Sequence, residues 1–163
     1  MANNYESGAT FVPAECFAPG GAEAAVLING ELQDILYQDD ELPKEFDDFF
    51  IDGLKLEMCS DGSLYIASGE ELFCFESFQY VVNKLAERKL LLQSFSFSVA
   101  FYCSKMRADE FGGTYYRAFP NGEVLALGTQ LADLPDEQFR HLVDFRQSFS
   151  SRLPAPAPAG DTQ

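Results

Sequence analysis

The sequence has no tryptophan, one histidine, and only 11 lysines and arginines against 26 aspartates and glutamates. Each scarcity removes a class of function. With His141 as the sole imidazole, catalysis by a Ser–His or Cys–His pair has a single available base. His141 precedes Leu142 at the edge of an amphipathic stretch, where a surface or boundary histidine is expected. The basic residues are few and unclustered, which argues against direct nucleic-acid binding and against anionic membranes. No apolar run reaches the roughly 18 residues of a membrane span. The opening "MANNYESGATF" lacks the basic and apolar regions of a signal peptide, so a cytoplasmic location is expected.

Cysteine is also sparse. Cys16, Cys59, Cys74 and Cys103 form no C-x-x-C pair, and three of them lie in apolar stretches, which suits reduced, buried thiols. No two candidate ligands share a zinc-site spacing. The calcium-loop pattern is missing, and neither Gly20-Gly21 nor Gly112-Gly113 precedes the Lys-Ser/Thr of a phosphate loop. The chain therefore reads as non-enzymatic, with no metal and no cofactor.

What is present is acid and phenylalanine. The net charge is −15 and it is lopsided: residues 1–61 carry fourteen acids and two bases, Lys44 and Lys55. Hydrophobic residues make up 47% of the 163, including sixteen phenylalanines, enough to bury the core of a single domain. Residues 1–21 read as a flexible lead, 22–153 as a single α+β domain, and the Pro/Ala-rich residues 154–163 as a disordered tail.

Within the domain, Val26-Leu27-Ile28 suits a strand and Leu32, Ile35 and Leu36 suit a helix, so 22–38 stays open between the two. Residues 39–50 begin an acidic helix with Phe46, Phe49 and Phe50 at 3–4 spacing. Residues 54–76 read as a strand meander with a type I′ turn at Asp61-Gly62 and a reversal at Ser68-Gly69. A helix is expected over 77–93, capped by Ser77. The alternation of Phe95, Phe97, Val99, Phe101 and Cys103 with small residues makes 94–103 a strand. A hairpin of 114–119 and 123–128 turns at Pro120-Asn121-Gly122. A closing helix runs from Leu134 to about Ser151, with Asp133 as cap and Arg146 inside its apolar arc. The sum is an α+β fold: an antiparallel sheet of about five to six strands, an amphipathic middle helix and a closing C-terminal helix.

Two stretches, "LKLEMCSDGSLYIASGEELFCFE" and "RAFPNGEVLALGTQLADLPDEQFRHLVDFRQSF", with Leu131 and Leu134 flanking a helix start, resemble class I type III secretion chaperones. The resemblance covers 54–153. It implies a cytoplasmic homodimer that binds the N-terminal segment of a secreted effector in extended form, without nucleotide hydrolysis. The polar lead departs from that family, which begins with a long amphipathic helix.

A second reading rests on charge. Asp34, Asp39, Asp40, Glu41, Glu45, Asp47, Asp48 and Asp52 offer carboxylates at spacings that imitate a phosphate backbone. Small acidic phage and plasmid proteins of this kind, acting as DNA mimics, block nucleic-acid-binding defence proteins such as a CRISPR or restriction component. Under either reading the partner is another protein.

Overall fold

In a computed structural model of the chain, the segment left open between strand and helix is a helix, α1 (Gly21–Gln38). Ala22, Ala25, Ile28, Leu32 and Leu36 recur at three- and four-residue intervals and are all buried, while Leu27 points to solvent. An alternating strand would have buried Leu27 with its odd-numbered neighbours; the helical period wins because it places five apolar residues on one face. The structure describes residues 4–38, 44–69, 72–103 and 112–127, and beyond them Asp136, Glu137, Arg140, His141 and Asp144. The chain falls into two units, Met1–Ala132 and Asp133–Gln163.

The first unit is α+β. Its strands are β1 (Asn4–Ser7), β2 (Ala9–Val12), β3 (Leu54–Met58), β4 (Leu64–Ser68), β5 (Phe95–Cys103), β6 (Gly112–Ala118) and β7 (Val124–Leu127), with α2 (Phe75–Glu87) between β4 and β5. They form two antiparallel sheets, not the single sheet of five to six strands expected: β1-β5-β6-β7 and β2-β4-β3. The cause lies in the lead. Residues 4–12, expected to be flexible, form strands that serve both sheets, β1 pairing with β5 and β2 with β4. Only Gly8 separates them. Its carbonyl accepts from the Ser68 amide (2.9 Å) and its own amide donates to Ser68 Oγ (3.1 Å). A Cβ at this position would collide with the Ser98 carbonyl of β5. A glycine that lets two backbones meet is a natural point for one strand to leave a sheet and join another.

Both hairpins close in the same way, and the one at Asp61-Gly62 is not the expected type I′ turn. In each, a three-residue link is closed by a backbone pair: the Cys59 amide donates to Ser63 O (2.9 Å), and the Phe119 amide to Glu123 O (2.9 Å). Positive φ occurs only at the glycines, Gly62 (83°) and Gly122 (90°), not at the preceding Asp61 or Asn121. This is a type I turn followed by a left-handed glycine. The Asx side chain adds to it, Asp61 accepting from the Ser63 amide (3.0 Å) and Asn121 from the Glu123 amide (3.1 Å). The hydroxyl and then the amide of Ser63 hold the Asp61 carboxyl below its ordinary range.

α2 also starts and stops earlier than 77–93. Cys74, not Ser77, is its cap: the Sγ accepts from the Ser77 amide (3.5 Å) and hydroxyl (3.1 Å). The helix ends in a Schellman motif, with the Leu90 amide on Leu85 O (2.8 Å), the Lys89 amide on Ala86 O (2.9 Å), and Lys89 itself left-handed (φ 55°). β5 follows its alternation, with Phe95, Phe97 and Val99 buried and Ala100 exposed. Phe78 of α2 packs its ring against both Phe95 and Phe97. With Phe73, Leu85, Leu64 and Ile66 these residues form the main core.

Residues 39–43 and the tail 154–163 lie outside the described residues. So does most of the closing helix expected from Leu134; its five described residues have helical backbone, and His141 is exposed.

Candidate functional site

From Lys44 on, the acidic segment is not an α-helix. After α1, Lys44–Phe46 form one 3-10 turn, with the Asp47 amide on Lys44 O (3.3 Å) and the Phe49 amide on Phe46 O (3.0 Å). Asp47, Asp48 and Gly53 interrupt any longer helix, since short polar side chains and glycine favour turns. The turn still achieves what the 3–4 spacing promised for two of the rings. Phe46 is buried and Phe49 half-buried on a small cluster made by Leu32 and Leu36 of α1 and Tyr80 of α2. Phe46 and Phe49 meet edge to face at 5.1 Å, and Phe49 meets Tyr80 likewise at 6.2 Å.

Of the eight carboxylates expected to act together, Asp34 lies exposed on α1, and Asp47, Asp48 and Asp52 are exposed along this segment. Asp39, Asp40 and Glu41 lie outside the described residues, as does the side chain of Glu45. Asp52 is the most constrained of the set. Its backbone is left-handed (φ 58°), its amide donates to Gln33 Oε1 (2.9 Å), and its carboxylate accepts from the Tyr37 hydroxyl (2.8 Å). That bond to Asp52 raises the Tyr37 phenol above its ordinary value, helped by partial desolvation.

Under this end of the segment two amides on the same face of α1 are half-used. Asn29 Nδ2 donates to Leu54 O (3.2 Å) while its buried Oδ1 has no partner; Gln33 accepts from Asp52 while its buried Nε2 has none. Each buried orphan costs about 1–3 kcal/mol.

A second surface escaped the sequence reading because it lies partly in the supposed lead. The β2–β4 register places Phe11 opposite Tyr65, their rings 5.0 Å apart on the side of the three-stranded sheet away from the core. Phe11 is 66% exposed. Lys55 and Glu57 of β3 share that face and are also exposed. The signal for a strand was there in Thr10-Phe11-Val12, β-favouring residues with Pro13 directly behind, but it is only three residues long.

Nucleophile chemistry finds little support in the geometry. Cys74 is fully buried as a helix cap, Cys16 is buried with its thiol pushed up by that burial and then by Glu15, and Cys59 sits in a hairpin turn. Among the described residues no three His, Cys, Asp or Glu side chains gather as metal ligands would. Nor, among them, is any helix long and apolar enough to cross a membrane. No family model, curated protein or solved structure matches the chain.

Proposed function

We propose that this chain is a non-enzymatic protein-binding domain that, like a secretion chaperone, holds a segment of a partner protein. The observation that carries the reading is the Phe11–Tyr65 pair. Two aromatic rings in tilted contact on an outward sheet face, one of them two-thirds exposed, belong to the residue types that anchor protein interfaces. Neither ring supports the core behind it, so packing does not account for them.

Affinity capture with the purified chain tests this. Phe11→Ser with Tyr65→Ser should lose a partner that wild type retains in 0.5 M salt; a partner kept equally by both removes the assignment. Light scattering adds the oligomeric state, a homodimer being expected on the chaperone-like reading.

The pinned carboxylate of Asp52 favours one alternative. An ordered acid beside exposed Asp34, Asp47 and Asp48 suits an inhibitor that occupies a basic, nucleic-acid-binding groove. Neutralising Asp39, Asp40, Asp47 and Asp48 together should then abolish capture of a basic partner, and binding by wild type should fall steeply with salt. Salt-insensitive binding would exclude it.

A further inference from the structure

The segment Lys44–Asp52 sits on the molecule as a ligand would. Its backbone hydrogen bonds are internal, linking Asp47 to Lys44 and Phe49 to Phe46. Among the described residues its hydrogen bonds to the rest of the fold are confined to one end, where Asp52 meets Gln33 and Tyr37. The rest is chiefly ring packing, Phe46 and Phe49 on Leu32, Leu36 and Tyr80, with Phe50 against Gly53 and the Asp52 carbonyl close against Gly69 at the same end. Its seat is a cluster distinct from the main core, and Gln33, which accepts from the Asp52 amide, has a buried Nε2 without a partner. A segment held by few hydrogen bonds and a satellite cluster is the kind that opens locally without global unfolding.

Charge makes the occupancy worse still. Asp47, Asp48 and Asp52 are exposed, and so are Glu31 and Asp34 on α1. Lys84 of α2 (5.7 Å from the Tyr80 ring centre) is already paired with Glu87 at 2.9 Å, and the strap's own cation, Lys44, is exposed at its start. Exposed acids of the strap and of α1 thus share the half of the chain that holds most of the negative charge.

We propose that Lys44–Asp52 is a displaceable strap over a docking groove formed by Leu32, Leu36 and Tyr80, and that the groove's partner is a basic protein segment carrying two aromatic residues three positions apart. The strap itself shows what the groove accepts: two rings presented from one helical turn, at the spacing of Phe46 and Phe49. A partner with the same rings and lysines or arginines beside them keeps the packing and reverses the sign of the flanking charge. It also frees the Gln33 amide, now held by Asp52, to find water or the partner's backbone. The strap then serves as an internal competitor, so that the groove is exposed only in the fraction of molecules whose strap is open. This rests on the reading of the chain as a binding domain, and adds to it a second surface and the chemistry of what it takes.

The test uses two fluorescein-labelled peptides: residues 44–51 as they stand, and the same peptide with Asp47→Lys and Asp48→Lys. Each is titrated by anisotropy into the full chain, wild type and the Phe46→Ser/Phe49→Ser variant. The variant should bind both peptides, the basic one at least ten-fold more tightly in low salt. Wild type should bind the basic peptide about ten-fold more weakly than the variant, because its own strap competes. If the variant keeps the wild-type circular dichroism and binds neither peptide, or binds no better than wild type, the groove is not a docking site.

Native-state hydrogen exchange on the wild type needs no variant. The amides of Phe49 and Asp52 should exchange at least a hundred-fold faster than those of Phe97 and Val99 in β5. Equal protection would mean the strap opens only when the whole fold does, and would overturn the proposal. Capture of a partner through Phe11 and Tyr65, with no peptide bound, would remove the groove alone and leave the binding reading standing.

Discussion

Asp52 and Lys89 both adopt the left-handed backbone region without being glycine, and they do so for different reasons. Lys89 closes α2, where the Schellman geometry demands positive φ and no side-chain interaction repays it. Lys89→Gly should therefore stabilise the fold by about 1 kcal/mol, read as a higher urea midpoint with unchanged slope. Asp52 is different, because its strained backbone aims the amide at Gln33 and the carboxylate at Tyr37. The Tyr37 phenol, raised chiefly by that hydrogen bond, has a definite pH signature. A folded-state value above the ordinary 10.0 means that its contribution is intact below pH 10 and is lost as pH rises through the raised value. An ultraviolet titration of the seven tyrosines should lose one of its latest-ionising phenols in Tyr37→Phe. Loss of an ordinary, early phenol would contradict the Tyr37–Asp52 bond.

Among the elements, those specified by neighbouring residues were legible and those specified at a distance were not. β5 could be read because its alternation is local and nine residues long, and β6 and β7 because a turn sequence joins two apolar runs. The bounds of α2 were misjudged because Ser77 looks like a cap in isolation, whereas a buried thiol one turn earlier receives both its amide and its hydroxyl. β1 and β2 were invisible for a plainer reason: each is four residues long, and their partners lie some fifty to a hundred positions away. The acidic segment was expected to begin a helix and from Lys44 on holds one 3-10 turn; its ring-mediated seat on α1 and α2 depends on Tyr80, which no local pattern connects to Phe46. Gly8 carries the most testable consequence at this scale. Gly8→Ala should cost about 3 kcal/mol, since a methyl group forced against the Ser98 carbonyl must displace backbone in both sheets. A calorimetric scan showing an unchanged midpoint would contradict the close approach.

At the scale of the whole molecule the charge dominates. A net charge of −15 on 163 residues repels itself in the folded state more than in the expanded chain. Screening shortens from a Debye length of about 30 Å at 0.01 M salt to about 8 Å at 0.15 M. If that relief amounts to roughly 1 kcal/mol, the melting temperature should rise by about 2–4 °C over this range. A fall would mean that attractive surface pairs outweigh the repulsion. The Lys84–Glu87 pair, exposed and three residues apart on one helix, is too weak to do so alone. The same salt series also separates the two functional readings, because apolar docking on Phe11 and Tyr65 withstands salt that an acidic mimic does not.

The strand divided at Gly8 also imposes an order of events on synthesis. β1 meets β5 through pairs such as Asn4 with Cys103, so β1 waits for nearly a hundred further residues before that edge can close. At roughly 5–20 residues per second this is a delay of about 5–20 s. Until then β1 has no partner strand in its own chain. A nascent chain halted before β5 emerges would complete the three-stranded sheet at most, and would leave β1 open to any other strand nearby.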